Sequence, residues 1–396
     1  MATATAGMFR SLHHRNVRIF FVGLMLSNIG TWLQFTATSL LIYRINNRAT
    51  DAGLNTLFQF LPMLLLGAWA GGFADRRNKR RVMIATQAAL AGQAVLLAIF
   101  DATGHASLPV VYALSLVLGI ANAIDNPSRR GLVTELVDPD EINNVMSLNT
   151  SVMTSSRIVG PALAALLIGP LGTAVLFAGN AVSYLAVLAS LFFLRTSEMR
   201  TPEPAPREGK PVREALAFVW RDPLLRWTYL VFTIVSTFAF NYSVVLPKFT
   251  DQKWGEPNGY PLLLTVVSVG SVCGALATAR FTAVSLRWLA SMVGLCGASC
   301  TALAVAPTFP VALAVCLPLG FGGTAMVASM TGVSQMKTPP TMRGRMLALQ
   351  SVAFLGSTPI GGPITGWIGD HVSLEWSLAY GGLITLAVLP LLRWAR

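Results

Sequence analysis

The sequence predicts an all-α polytopic membrane protein with 12 transmembrane helices in two parallel six-helix repeats. Three observations predict this fold class. Of 396 residues, 54% are hydrophobic and 12% charged, about half the charged share of a soluble domain. Twelve apolar runs approach or exceed the roughly 20 residues that cross a bilayer as a helix. The second half of the chain also repeats the first at a near-constant offset.

The runs can be placed in order by the charges between them. Arg10, Arg15 and Arg18 precede the first, 18–44, and Arg44 and Arg48 follow it. The second, 53–74, ends against Arg76, Arg77, Lys79, Arg80 and Arg81. The third and fourth, 82–101 and 108–125, lead to Arg129 and Arg130. The fifth and sixth, 142–169 and 172–194, lead to a segment with seven cations from Arg195 to Arg226. The seventh and eighth, 225–248 and 259–279, enclose Lys248 and Lys253 and lead to Arg280 and Arg287. The ninth and tenth, 283–305 and 308–335, lead to Lys337, Arg343 and Arg345. The last two, 345–368 and 374–394, end at Arg393 and Arg396. Several runs exceed the minimum for a span, which points to tilt or helical extension beyond the bilayer.

With the N-terminus inside, 24 of the 29 Lys and Arg residues fall on inner segments. That bias orients a bacterial cytoplasmic-membrane protein with both termini cytoplasmic. The net charge of +12 is therefore topogenic, and nucleic acid is not an expected partner. The first run is of full membrane length with no small-residue cleavage site, so the N-terminus reads as a span rather than a cleaved signal. Cys273, Cys296, Cys300 and Cys316 all fall in predicted spans without metal-ligand spacing, as packing residues do. The four histidines lie in the N-terminal tail or outer loops, so no buried histidine is available as a proton carrier.

The repeat aligns 108–123 with 309–325, pairing Pro109 with Pro310 and Gly119 with Gly320. It aligns VMSLN at 145–149 with MLALQ at 346–350, and GGFA at 71–74 with GALA at 274–277. Each copy holds six spans, so both keep one orientation. The domains expected are a six-helix bundle at 1–194, a cytoplasmic linker at 195–223 and a second bundle at 224–396. The linker is rich in Pro and charge, with a short amphipathic helix near Val212–Trp220 placed on the membrane surface.

GGFADRRNKRR at 71–81 resembles the signature of the major facilitator superfamily, Gly-x-Leu-Ala-Asp-Arg-x-Gly-Arg-Lys/Arg. Gly71, Phe73, Ala74, Asp75, Arg76, Lys79 and Arg80 fill it, and Asn78 replaces the second Gly. Asn tolerates the left-handed conformation such a turn uses. NVRIFFVGLMLSNIGTWLQ, IDNPSRRGLVTELV, MSLNTSVMTSSRIVGPALA and the RGRMLAL…PIGGPITG region resemble the branch containing the enterobactin exporter and mycobacterial drug-efflux pumps. The resemblance implies outward export of a hydrophobic or amphipathic small molecule, usually against protons.

Asp75 and Asp125 close the second and fourth runs, where a helix dipole favours cations and disfavours a carboxylate. Under the repeat they correspond to Thr278 and Met326, so both acids belong to one half only, which favours gating over the alternative of a generic solvated loop. The resemblance implies that Asp75 faces Thr341–Arg345 and that Asp125 pairs with the loop cations, Lys79 first. Such contacts would stabilise an outward-open state.

SSRIVGPALAA at 155–165 resembles the antiporter motif Gly-x-x-x-Gly-Pro-x-x-Gly-Gly through Gly160 and Pro161. Gly361, Gly362 and Pro363 repeat the idea on the eleventh span. Arg157 lies deep in the fifth run, where an arginine costs about 3 kcal/mol on insertion scales. Its expected partner is a carbonyl, the substrate or Asp125. No acid lies in the middle of a span. The neutral polar groups Asn28, Thr31, Gln34 and Thr38, with Asn122, Asn149, Asn241, Tyr242 and Gln350, are the remaining substrate or coupling candidates. A mostly apolar cavity with such groups suits large amphiphiles better than sugars.

The expected function is thus secondary active export of amphipathic molecules such as drugs or siderophores, driven by a proton gradient without a cofactor. The expected form is a monomer. A lipid or lysolipid flippase of the same fold is the alternative. No Ser/His/Asp constellation, HExxH, metal spacing or phosphate-binding glycine loop suggests an enzyme.

Overall fold

The structure, a computed structural model, describes residues 10–200, 211–281, 284–339, 342–355 and 358–395. Among them lie α1 (Arg15–Asn46), α2 (Ala49–Arg76), α3 (Lys79–Ala102), α4 (Leu108–Glu135) and α5 (Ile142–Phe193). The short α6 (Pro211–Arg221) precedes α7 (Pro223–Phe238), α8 (Tyr242–Lys248), α9 (Tyr260–Ala279) and α10 (Leu286–Val305). The chain continues through α11 (Phe309–Lys337), α12 (Arg343–Leu355), α13 (Thr358–His371) and α14 (Trp376–Ala387).

Local chemistry explains the boundaries. Asn78 and Ser285 cap α3 and α10 by accepting from backbone N–H groups of Arg81 and Trp288, which satisfies first-turn donors left without helical partners. Asp222 caps α7, with Pro223 at the first helical position. α5 holds the fifth and sixth spans, separated at Gly172 with φ 73° and ψ 177°, a conformation only glycine adopts without strain. Nine helical segments among the described residues are long and apolar enough to cross a membrane. One of these holds two spans; α2 and the α12–α13 pair complete the 12 of the predicted fold class.

The repeat is visible in helix phase. α4 and α11 begin at Leu108 and Phe309, α5 and α12 at Ile142 and Arg343, both pairs 201 residues apart, the offset of the sequence matches. Two elements differ from expectation. The seventh span is interrupted between α7 and α8, with Asn241 at the break. α4 runs ten residues past Asp125 to Glu135, because the polar stretch Asn126–Arg130 continues the helix instead of leaving it.

The chain forms two compact units. One comprises Met1–Leu41 and Leu65–Pro206. Its core joins Phe20 and Leu24 of α1 to Met83 of α3, Leu132 of α4 and Leu191 of α5, and a second cluster gathers Leu90, Leu118 and Tyr184. The other comprises Ile42–Leu64 and Arg207–Arg396, so the tip of the α1–α2 hairpin packs with it. Its core places Leu225 and Phe232 against Met292, Met330 and Met346. α6, expected near Val212–Trp220, turns Ala215 and Val219 into this core and leaves Trp220 exposed. Large apolar side chains such as Val22, Leu166, Val182 and Leu276 are more than 60% exposed. Burial in lipid accounts for such an outer surface.

Candidate functional site

In the 71–81 segment, α2 ends at Arg76, which is exposed, so the backbone of Asp75 lies in the last turn of its helix. Its side chain, and Thr341, lie outside the described residues, and with them the expected Asp75 contact. Gly71 borders open space. Asn78, expected in the left-handed region, instead has φ −64° and ψ 108°. It serves as a helix cap rather than a glycine substitute.

Lys79 does not pair with Asp125. Its Nζ lies 2.6 Å from Glu135 Oε1, with both side chains mostly buried. Its stem passes over Gly131, where any Cβ would overlap it. Because α4 continues to Glu135, Asp125 sits about 15 Å further along the helix, and the dipole argument does not apply to it. Arg80 Nε donates to the Leu191 carbonyl at 2.7 Å, tying α3 to α5. Arg345 ion-pairs with Glu214 of α6.

Asp125 is 2% exposed. Its Oδ1 accepts from Thr86 Oγ1 at 2.8 Å and Gln87 Nε2 at 2.9 Å. The Gln87 carbonyl oxygen is buried without a hydrogen-bond partner. A buried carboxylate needs such donors, and here they are neutral. Thr86 and Gln87 carried no motif signal, and Glu135, though inside the IDNPSRRGLVTELV stretch, was not singled out; only the fold brings them to Asp125 and Lys79.

The polar face expected on the first span is turned into its own unit. Gln34 Nε2 donates to Gln93 Oε1 at 3.0 Å, and Asn180 Nδ2 donates to Gln34 Oε1 at 2.7 Å. Thr31 bonds the Ser27 carbonyl and the Tyr184 hydroxyl, and Asn28 bonds the Leu24 carbonyl. The Gln34–Gln93, Asn180–Gln34 and Thr31–Tyr184 contacts tie α1, α3 and α5 together, as interhelical hydrogen bonds do in membranes at about 0.6 kcal/mol each, whereas the Asn28 bond stays within α1. Arg157 places its guanidinium 4.9 Å from the centre of the Trp32 ring, a cation–π contact with α1.

The two glycine motifs do the same structural job. A Cβ at Gly160 would overlap Trp32 and the Ile29 carbonyl, and one at Gly361 would overlap the Thr237 carbonyl. Each glycine lets the backbone of its unit's first span approach. Pro161 is buried beside Gly160. Gly362 and Gly366 meet Gly53 and Ala49, with Pro363 against Gly53. At the break in the seventh span, Asn241 Nδ2 donates to the Thr237 carbonyl at 2.6 Å, and Tyr242 opens α8. Broken helices at membrane depth persist where protein buries them or a cavity hydrates them; Gly361 and Gly381 cover this one.

Asn149 and Gln350 occupy equivalent positions in the repeat, and each has a buried side-chain oxygen with no partner. The Gln350 amide nitrogen donates to Thr331 Oγ1 at 2.7 Å. A further cluster that the motifs did not reveal joins Asp370 to Lys248 at 2.7 Å and to the backbone N–H groups of Ala49 and Thr50.

The family model described as "Transmembrane secretion effector" matches residues 6–395. The staphyloferrin A transporter of Staphylococcus aureus is 21% identical over 65% of this chain and 66% of its own. The multidrug efflux pump Tap of Mycolicibacterium fortuitum is 27% identical over 87% of both chains. Among solved structures, an inward-facing, unoccupied bacterial homologue of the human lysosomal transporter Spinster superposes with a TM-score of 0.74 at 15% identity. The match covers 96% of this chain and 95% of that one. This last likeness is one of fold.

Proposed function

This chain belongs to the transmembrane secretion effector family of major facilitator transporters, and from that premise we propose that it exports amphipathic or hydrophobic small molecules, drugs or siderophores, by proton antiport. The observation that carries the reading is the length of the similarity to a multidrug efflux pump, with a siderophore transporter as a second relative.

The proposed cycle is alternating access in a bacterial cytoplasmic membrane, with both termini cytoplasmic and the protein acting as a monomer. The proton gradient supplies the driving force. The 71–81 segment, with Gly71, Asp75, Arg76, Lys79 and Arg80, contributes to the cytoplasmic gate, and the Lys79–Glu135 pair fixes its α3 side. Arg157, Asn149, Asn241, Tyr242 and Gln350 are the polar groups assigned to substrate. Gln34 supports them by holding α1 against α3 and α5, and Asn28 is a further substrate or coupling candidate on α1.

Reconstituted proteoliposomes with an imposed pH gradient and a panel of fluorescent amphiphiles test the proposal. Dye accumulation that collapses with the gradient is the expected result. Movement of labelled lipid at a rate indifferent to the gradient, with no dye accumulation, would overturn it in favour of a flippase.

A further inference from the structure

We propose that the start of α7 and the 3₁₀ segment Leu389–Ala395 form a seat for the headgroup of an anionic phospholipid, with Arg226 and Arg393 meeting its phosphate. The seat goes beyond export and does not depend on antiport.

The packing of two leucines builds the seat. Leu225 of α7 enters the core of its unit, which leaves Arg226 and Trp227 half-buried at the rim. Leu392 enters the same core from the 3₁₀ segment, so the next residues, Arg393 and Trp394, are exposed. The Trp227 and Trp394 rings meet edge to face with centroids 5.0 Å apart. The Arg226 guanidinium lies 5.7 Å from the centre of the Trp227 ring, a contact that orders a cation without neutralising it. α6, whose Val219 enters the same core, leaves Leu216 and Trp220 exposed. Tryptophan suits headgroup depth because its ring is apolar and its N–H needs a polar partner.

No acid cancels these cations. Asp222 caps α7 by accepting from the Leu225 N–H, and Glu214 of α6 pairs with Arg345. Among the described residues no carboxylate lies within 4.0 Å of Arg221, Arg226 or Arg393. The orienting rule for loop charges asks only for cations near span ends, not for unpaired ones. The first repeat supplies the contrast. At its equivalent junction, where its first span starts and its sixth ends, Arg15 donates to the Phe193 carbonyl. Asn16 exchanges two hydrogen bonds with the Arg195 backbone, and the Arg195 side chain pairs with Glu198. Arg10 and Arg200 likewise meet Asp140 and Asp138. One repeat closes its junction with protein groups, while the other presents guanidinium and indole without a counter-charge. A phosphodiester supplies that charge, and the planar guanidinium fork matches its oxygens. Basic clusters at span ends hold acidic headgroups in this way. A zwitterionic lipid carries its own cation and gains less. Under the topology proposed above, the lipid belongs to the cytoplasmic leaflet.

The test uses the full chain in detergent: wild type, the double variant Arg226→Gln with Arg393→Gln, and Arg18→Gln. Arg18 is an exposed cation of the other unit and controls for loss of charge alone. Each protein is titrated with phosphatidylglycerol, with phosphatidylcholine of the same acyl chains, and with glycerol 3-phosphate. The melting midpoint reports binding, because a ligand of the folded state raises it, and native mass spectrometry counts retained lipid. Phosphatidylglycerol should raise the wild-type midpoint. The concentration giving half the effect should rise about fivefold for each arginine removed, and about 25-fold in the double variant. Arg18→Gln should titrate as wild type does. Where the double variant does not yield folded protein, Arg393→Gln alone carries the test at about fivefold. An unchanged phosphatidylglycerol titration in these variants, or equal stabilisation of wild type by phosphatidylcholine, would overturn the seat. Equal stabilisation by glycerol 3-phosphate would also overturn it, since the ligand would then be a soluble phosphate and not a lipid.

Discussion

Asp370 and Thr50, 320 residues apart, are joined twice: Asp370 Oδ2 accepts from the Thr50 backbone N–H at 2.8 Å and from its hydroxyl at 2.7 Å. The other oxygen accepts from Ala49 N–H at 3.0 Å and Lys248 Nζ at 2.7 Å. Asp370 therefore caps α2 from the end of α13 and complements the positive end of its dipole. Below it, α2 and α13 touch through Gly53 and Gly362 and through Ala49 and Gly366. Truncation to Asp370→Ala leaves Lys248 only the Gly369 carbonyl, removes its counter-charge and orphans two backbone donors, with an expected loss of about 2–3 kcal/mol. Thermal unfolding in detergent checks this, and an unchanged midpoint would refute the cap.

The same cluster sets a pH dependence. Burial raises the Asp370 pKa, but donation from Lys248, Thr50 and Ala49 outweighs it, so the carboxyl stays below its ordinary value. A depressed acid contributes stability above its unfolded pKa, about 3.9, and loses that contribution as pH falls through the folded value. Wild type should exceed Asp370→Asn in stability at neutral pH, with the gap closing only below about pH 4. Melting curves of both proteins across that range test the sign. A gap that widens on acidification would contradict it.

How much of this was legible in the sequence follows from what hydropathy measures. The apolar runs located the spans and the offset of 201, because both reflect period and composition along the chain. Hydropathy marks where lipid ends, not where a helix ends. Asn126, Pro127 and Ser128 therefore read as a loop although α4 carries them, with Ser128 fully buried. That misplacement put Asp125 at a helix terminus, and the pairing with Lys79 came from the family resemblance. The actual partners, Gln87 for Asp125 and Glu135 for Lys79, lie 38 and 56 residues away. Such separations carry no periodic signal. Gln34 was visible as a polar residue on an apolar helix, but its engagement with Gln93 and Asn180 required the bundle.

The glycine contacts separate packing from gating. Gly160→Leu and Gly361→Leu each force a side chain into the backbone of the neighbouring span, with an expected cost of about 1–3 kcal/mol or failure to fold. Gly71→Ala meets open space and should leave stability within about 0.5 kcal/mol of wild type. Parallel expression and melting of the three variants decides the matter. Equal losses at all three positions would mean that the motif glycines act through something other than close helix approach.

Lys79, Glu135 and Gly131 form the last testable unit. The ion pair is about 85% buried on both sides, so it should couple more strongly than a surface pair, by about 1 kcal/mol or more. A double-mutant cycle of Lys79→Met and Glu135→Gln measures that energy from melting midpoints. Gly131 carries a directional expectation of its own, because the Lys79 stem occupies the space a Cβ would need. Gly131→Ala should destabilise wild type yet cost much less in a Lys79→Ala background, where the stem is gone. Identical costs in both backgrounds would show that backbone packing, and not the Lys79 stem, requires a glycine beside Arg129 and Arg130.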